Sequence, residues 1–218
     1  PSPSFLFSSR LVNDLPFSIV IGSHVLPAVG IAMGMNYQDK SNCMVVNFGD
    51  GAFSQGAVSE ALNFAAVNAA PVVFVCENNG WAISTPLAKQ SATDSLAVRG
   101  LGYGVPSIRV DGNDILAMTV AVDEAAQRAR AGGGPTLIEA VTFRMSLHTT
   151  ADDPTVYRDE ALVEPWNARC PIHRFEVYLK SKGLIDDAGL EHVRSDCDAE
   201  VLEARQRFVV RVNDEVRG

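Results

Sequence analysis

Three polar segments contain the residues whose types could support catalysis or ligand binding: GDGA at 49–52, ENNGW at 77–81 and FRMSLHTT at 143–150. Each of them closely follows an apolar run of strand length. These runs are Met44–Phe48, Val72–Cys76 and Thr136–Val141. Ligands of parallel α/β sheets bind at the carboxyl ends of the strands. The sequence therefore predicts that the three segments converge on one edge of a sheet.

The first two segments have the chemistry of a diphosphate and magnesium site. Gly49 and Gly51 let the backbone approach a diphosphate closely, and a helix beginning near Ser54 would direct its N-terminus at the anion. The Asp50 carboxylate, the Asn79 amide oxygen and a carbonyl near Trp81 are hard ligands that suit Mg²⁺. Either segment alone is more often a simple turn. However, 26 residues separate Gly51 from Asn78, which is the length of one helix and one strand.

The surrounding pattern predicts an α/β fold, with a parallel sheet flanked by helices on both faces and a C-terminal helical appendage. A further strand is expected at Ser107–Val110. Helices are expected at 19–37, 54–70, 92–101, 114–131, 171–182 and 186–216. The predicted organisation is an extended lead-in at 1–18, an α/β ligand-binding domain at 19–160 and a helical extension at 161–218.

The net charge and the cysteine spacing disfavour several classes of protein. With 26 acidic and 18 basic residues the net charge is −8, which disfavours nucleic-acid binding and adhesion to anionic membranes. The four cysteines form no CxxC pair and no zinc spacing, so we expect free thiols in a reducing compartment. The sequence has no apolar run of membrane-spanning length. We see no signal peptide and expect no membrane partner.

Longer sequence words around these segments are similar to the alpha subunit of the E1 component of 2-oxo acid dehydrogenase complexes. The words are FGDGAFSQGAVSEALNFAA, FVCENNGWAISTP, YGVPSIRVDGNDILA, GPTLIEAVTFR and HTTADDPTVYR. The resemblance covers about residues 19–217 and includes the pyruvate and branched-chain enzymes. It implies the thiamine-diphosphate-binding fold with thiamine diphosphate and Mg²⁺ as cofactors. The implied activity is decarboxylation of a 2-oxo acid followed by reductive acylation of the lipoyl group of E2.

The resemblance also implies roles for individual residues. Asp50, Asn79 and the Trp81 carbonyl would ligate the metal. The residues implied to bind the cofactor are Gly49, Asp50, Gly51, Ala52, Asn79, Trp81, Ile83, Ile21 and His148, with Ile21 propping its bent form. His148 and Arg144 would be catalytic. Four residues would order their loop: Asp152, Asp153, Tyr157 and Arg158.

The family pattern implies partners as well. A separate E1 beta subunit would complete the site in an α2β2 heterotetramer, and the lipoyl domain of E2 would accept the acyl group. The apolar segment 22–35 is a candidate interface, although a buried helix is an equal interpretation. The implied location is the bacterial cytoplasm or the mitochondrial matrix. Thr149 stands where mitochondrial relatives carry a phosphorylated serine, which places kinase control in doubt.

Other functions stay open at this point. A transketolase-like subunit shares the GDG and Asn pattern, although RVDGND and HTTADDP weigh against it. The family's N-terminal diphosphate clamp has no counterpart in this sequence, so a non-catalytic fragment acting only in assembly is a second alternative. The triplet Gly100-x-Gly102-x-Gly104 precedes a predicted strand instead of following one, which disfavours a dinucleotide-binding dehydrogenase.

Overall fold

The computed structural model describes Leu15 and residues 19–217, with side chains described as far as Arg207. Apart from Leu15, the predicted lead-in at 1–18 lies outside the described residues. The chain divides into two compact units, Pro1–Arg169 and Cys170–Gly218. Each unit is described by itself below.

A four-stranded parallel sheet forms the centre of the first unit, in the order β1-β2-β6-β5. A separate antiparallel hairpin is formed by β3 and β4. The strands are β1 (Met44–Gly49), β2 (Val72–Asn78), β3 (Trp81–Ala82), β4 (Thr85–Pro86), β5 (Ser107–Asp111) and β6 (Thr136–Val141). The predicted parallel α/β sheet is confirmed, and each of its four strands begins at the predicted residue.

Helices connect these strands. They are α1 (Val25–Tyr37), α2 (Gly56–Val67), α3 (Leu87–Gln90), α4 (Ala97–Gly102), α5 (Ile115–Arg130) and α6 (Glu164–Asn167), with short 3₁₀ turns at Asp50–Ser54, Pro154–Val156 and Glu160–Leu162. Asp114 caps α5, since its side chain accepts hydrogen bonds from the Leu116 and Ala117 amides.

The predicted start of the first helix at residue 19 was wrong. The segment before Val25 is a turn, in which the Ser23 amide donates to the Val20 carbonyl over 3.1 Å. Gly22 has a φ of +76°, a conformation that no α-helix contains. Pro27 is the third residue of α1 and lies in the first turn, where its missing N–H costs no helical hydrogen bond.

The core lies on both faces of the central strands. On one face, α1 and α2 pack over Phe74 and Leu137, and on the other, α5 packs over Val73 and Ile138. The prediction of a sheet flanked by helices is confirmed, and the least covered strand is the edge strand β1, where Val45 is 42% exposed. As the outermost strand, β1 has a neighbour on one side only, and its alternate residues face solvent.

The second unit consists of two helices, α7 (Pro171–Ser181) and α8 (Asp187–Arg217). Their existence agrees with the helical pattern predicted for this part of the sequence. Among the described residues, no helix combines the length and the apolar character that crossing a bilayer requires. All four cysteines are free thiols, and burial raises the pKa of Cys76 well above its usual value.

Candidate functional site

A cavity of about 600 Å³ opens where the 3₁₀ turn after β1 meets the turn after β2. All nine residues predicted to bind a cofactor line it: Ile21, Gly49, Asp50, Gly51, Ala52, Asn79, Trp81, Ile83 and His148. The parallel register explains this, since Gly49 at the end of β1 pairs with Glu77 near the end of β2. The convergence predicted from strand order is therefore present in the structure.

Asp50 carries a buried carboxylate with an unused oxygen. The residue is 2% exposed, and its Oδ2 accepts a hydrogen bond from Gln90 Nε2 over 2.9 Å. Its Oδ1 is buried and has no hydrogen-bond partner among the described residues. Burial raises the pKa of Asp50, opposed by hydrogen bonds from Gln90 and from backbone amides and by the charge of Arg144. An ionised carboxylate oxygen that is buried without a donor is stabilised by a nearby cation, so this position suits a metal ion.

The turn after β2 holds the second polar group of the cavity. Asn79 Oδ1 accepts from the Trp81 amide over 3.1 Å, and Asn78 Oδ1 accepts from the Gly80 amide over 3.2 Å. These two consecutive bonds fix the turn, and Gly80 supplies its φ of +83°. Asn79 keeps an acceptor lone pair beyond the bond to Trp81, so it suits the same cation.

No group of three or more histidine, cysteine, aspartate or glutamate side chains that could hold a metal occurs within residues 19–207. A cation in the cavity would have Asp50 as its charged side-chain ligand and would need neutral or ligand-borne oxygens besides. That requirement is typical of Mg²⁺, which keeps water and phosphate oxygens in its shell.

The hairpin that follows contains a strained residue. Ile83 has a φ of +54°, which is an outlier for a β-branched side chain. Its carbonyl accepts a hydrogen bond from Arg144 Nη2 over 2.6 Å, and its side chain is 47% exposed at the cavity. Arg144, the other predicted site residue, therefore supports the cavity wall through Ile83. Nothing in the amino-acid pattern indicated this strain.

The loop after β6 is held by a connected set of hydrogen bonds. Tyr157 Oη accepts from Arg144 Nη2 and donates to Asp152 Oδ2, both over 2.7 Å. Asp152 Oδ2 also accepts from the His148 amide over 2.7 Å, and this bond is the main cause of the lowered pKa of Asp152. Arg158 donates to the carbonyls of Arg144 and Met145. These contacts agree with the loop-ordering roles predicted for Asp152, Tyr157 and Arg158.

Asp153 acts more locally than the other loop residues. Its Oδ1 accepts from the Thr155 amide over 3.1 Å and so caps the 3₁₀ turn Pro154–Val156. The Tyr157 ring lies 5.5 Å from the Trp81 ring, which brings the loop against the hairpin. His148, in the same loop, lines the cavity.

Several cavity residues were not predicted from the sequence. His24 lines the cavity, and its Nε2 lies 2.8 Å from the Asn47 carbonyl oxygen. Gln90 contacts Asp50 directly and Lys89 also lines the cavity. The predicted helix near Ser54 begins at Gly56, so Ser54 ends a 3₁₀ turn instead. No motif marks Gln90, whose role depends on how α3 folds back over the 3₁₀ turn.

Comparison with known proteins decides the family. A sequence model described as "Dehydrogenase E1 component" matches residues 7–210. The chain belongs to the dehydrogenase E1 component family. The resemblance inferred from the sequence words is thereby confirmed.

Named relatives within this E1 family point the same way. The chain is 50% identical over 196 residues to 3-methyl-2-oxobutanoate dehydrogenase subunit alpha of Mycobacterium tuberculosis, covering 87% of this chain and 53% of that protein. It is 45% identical over 199 residues to mitochondrial 2-oxoisovalerate dehydrogenase subunit alpha 2 of Arabidopsis thaliana, covering 91% and 42%. It is 49% identical over 173 residues to pyruvate dehydrogenase E1 component subunit alpha of Acholeplasma laidlawii, covering 79% and 50%. The chain spans about half the length of the curated relatives it matches.

Proposed function

We propose that this chain acts as the alpha subunit of a 2-oxo acid dehydrogenase E1 enzyme and binds thiamine diphosphate with Mg²⁺. One observation carries the proposal: the nine residues that the family pattern assigns to the cofactor line a single cavity. Relatives named as branched-chain and pyruvate dehydrogenase alpha subunits support the reaction class.

In this proposal, Asp50, Asn79 and the Trp81 carbonyl hold the metal. Among the described residues, the buried Oδ1 of Asp50 has no hydrogen-bond partner, which supports this assignment. Asn79 Oδ1 accepts one hydrogen bond from the Trp81 amide and, as an amide oxygen, has a second lone pair. The backbone of Gly49, Gly51 and Ala52 would lie along the diphosphate. A Cβ on Gly49 would meet no atom within 4 Å, so this backbone is open to a ligand.

The apolar part of the cofactor would lie at the cavity mouth. Ile21 is 51% exposed and Ile83 is 47% exposed, and both line the cavity. Covering such side chains with an aromatic ring removes apolar surface from water. When bound, thiamine diphosphate supplies an electron sink for the decarboxylation of a 2-oxo acid.

The loop residues would then act on substrate. His148 lines the cavity, and its imidazole can donate or accept a proton. Its backbone is fixed by Asp152, whose Oδ2 accepts a hydrogen bond from the His148 amide. Arg144 maintains the loop and the Ile83 turn together, so it positions both sides of the cavity.

The remaining assignments follow from the family and belong to the same proposal. The substrate is a branched-chain 2-oxo acid or pyruvate, and the acyl group passes to the lipoyl domain of E2. An E1 beta subunit completes the site in an α2β2 heterotetramer. The enzyme works in a bacterial cytoplasm or, in a eukaryote, in the mitochondrial matrix.

A thermal-shift experiment with the beta subunit present tests the cofactor assignment. Thiamine diphosphate and Mg²⁺ at about 100 times their Kd should add about 2.7 kcal/mol of stability. For a chain of this length that raises the melting temperature by about 5–10 °C. Asp50→Ala should abolish the shift, whereas Asp123→Ala on the exposed side of α5 should preserve it. A full shift in Asp50→Ala would show that the metal assignment is wrong.

Activity assays test the catalytic assignment separately. His148→Ala should keep the thermal shift and lose reductive acylation, measured with pyruvate and with branched-chain 2-oxo acids. Full activity in that variant would refute the role of His148. No turnover of any 2-oxo acid by the assembled wild-type enzyme would refute the proposed reaction.

A further inference from the structure

Glu139 is a buried carboxylate that the proposed mechanism does not use. It lies within β6 and is 0% exposed, although its strand neighbours Ile138 and Ala140 are apolar. Burying an ionised carboxylate without partners is strongly unfavourable, so a Glu at this position requires a complete set of donors.

The structure provides that set of donors from two directions. Glu139 Oε1 accepts from Asn78 Nδ2 over 2.7 Å. Glu139 Oε2 accepts from Ser95 Oγ over 2.5 Å and from the Ala97 amide over 3.0 Å. Burial raises the pKa of Glu139, but the hydrogen bonds from Ser95, Ala97 and Asn78 hold it below the usual value. Arg109 adds a positive charge, since its Nε lies 3.7 Å from Glu139 Oε1. The carboxylate is therefore ionised, hydrogen-bonded at both oxygens and paired with a cation.

The first direction leads to the turn that carries Asn79. Asn78 donates to Glu139 through its amide nitrogen, so its amide oxygen must face the other way. That oxygen accepts from the Gly80 amide, and the next residue, Asn79, accepts from the Trp81 amide. Glu139 thus sets the orientation of the Asn78 side-chain amide. The oxygen of that amide then holds the backbone turn at residues 78–80.

The second direction leads to Asp50. Ala97 is the first residue of α4, and this helix carries Arg99. Arg99 donates to the Phe53 carbonyl over 2.8 Å and to the Gln90 carbonyl over 3.3 Å. Gln90 donates in turn to Asp50 Oδ2. Both proposed metal-ligand side chains are therefore connected to one buried carboxylate.

We infer that Glu139 is a positioning residue that keeps the side chains of Asn79 and Asp50 in fixed positions relative to each other. It acts through Asn78 on one side and through α4 on the other. The inference rests on the proposed function for the identity of the metal ligands. Glu139 itself lies outside the residues that line the cavity, so it acts through its hydrogen-bond partners.

An exchange of acid and amide between positions 78 and 139 tests the inference. Glu139→Gln turns one acceptor into a donor that faces the Asn78 amide nitrogen, and Asn78→Asp places two carboxylates face to face. In the double variant Asn78→Asp/Glu139→Gln, the new Gln amide donates to the new Asp carboxylate. Gly80, Ser95 and Ala97 then keep their acceptors, so the hydrogen bonds of the wild-type network are restored, while the negative charge that pairs with Arg109 moves from position 139 to position 78.

Two measurements on the assembled enzyme distinguish positioning from general stability. The first is amide hydrogen exchange in the peptide covering 78–82, and the second is Mn²⁺ affinity with thiamine diphosphate present. Each single variant should accelerate exchange and weaken Mn²⁺ binding by about tenfold or more, and the double variant should recover to within about threefold of wild type. Glu124→Gln, on the exposed side of α5, is the matched control and should change neither.

Single variants that leave both measurements unchanged would overturn the inference. So would a double variant whose defects equal the sum of the two single defects, or one that fails to assemble. If a single variant fails to assemble and the double variant assembles, the inference is supported. Wild-type enzyme that binds no Mn²⁺ would refute the proposed function, and the exchange measurement would still decide the role of Glu139.

Discussion

Replacing Gly51 with alanine tests how closely the 3₁₀ turn after β1 packs against the β3–β4 hairpin. A Cβ at position 51 would lie 2.9 Å from the Ala82 Cβ. Carbon atoms in contact prefer about 3.5–4.0 Å, so the hairpin must move by about 0.6–1.1 Å. Overpacking of this kind costs typically about 1–3 kcal/mol. At about 2 kcal/mol, the melting temperature should fall by about 4–8 °C.

The same displacement should weaken cofactor binding. The hairpin carries Trp81 and Ile83, which line the cavity, so its movement changes the distance between these residues and Asp50. We expect Gly51→Ala to lower the urea midpoint of unfolding and to reduce the thermal shift produced by thiamine diphosphate and Mg²⁺. Both can be measured with the beta subunit present.

A compensating substitution makes the test specific. In Gly51→Ala/Ala82→Gly the clashing Cβ is gone, and the remaining contact, to the residue 82 Cα at 3.5 Å, is ordinary. Most of the lost stability should return. Gly30→Ala in α1 is the control, because a Cβ there meets no atom within 4 Å and should stabilise the helix by about 0.5–1 kcal/mol. Gly51→Ala with wild-type stability, or no recovery in the double variant, would refute this account of the packing.

Three further outcomes follow from the structure. Gly100→Ala places a Cβ in steric overlap with Ser107 Oγ and 2.9 Å from the buried Leu137 Cδ2, so it should cost about 1–3 kcal/mol in urea unfolding. Gly102→Ala, whose Cβ meets no atom within 4 Å, should cost less, and equal losses would contradict this. Because the pKa of Glu139 is held below its usual 4.5, this group stabilises the fold above pH 4.5 and loses that contribution as the pH falls below it. Glu139→Gln should flatten the acid side of the stability curve, and an unchanged slope would contradict this. Tyr157→Phe removes the hydroxyl that joins two loop side chains, so amide exchange across 144–158 should accelerate; unchanged exchange would exclude this role.

The strands could be predicted because continuous apolar runs define them. Val72–Cys76 is apolar throughout, and β2 contains it completely. The strand nevertheless continues to Asn78, since Glu77 and Asn78 still pair with Ala140 and Val141 of β6. Pairing partners far along the chain decide where a strand ends, and the local pattern contains no information about them.

The start of α1 shows the opposite case. The segment IVIG at 19–22 is as apolar as a core helix, and the sequence pattern therefore assigned it to one. In the structure Ile19 is 80% exposed and Ile21 is 51% exposed, and both line the cavity. Apolar side chains that face a ligand cannot be distinguished from core side chains by composition. The glycine at position 22 was the one sequence signal we identify for a break in the helix, and in the structure its positive φ separates 19–21 from α1.

Some residues of the candidate site could be predicted from the sequence and others could not, and Glu139 shows why. Residues after strand ends were predictable, because parallel strands bring their carboxyl ends together whatever the contacts between them. Glu139 depends on sheet order: it reaches Asn78 only because β6 lies beside β2, 61 residues earlier. Since side chains alternate along a strand, Glu139 lies on the same face of β6 as Leu137, between apolar neighbours, and the sequence analysis did not single it out. A carboxylate on a core-facing side requires donors, so a single Glu within an otherwise apolar strand predicts a buried network even before its partners are known.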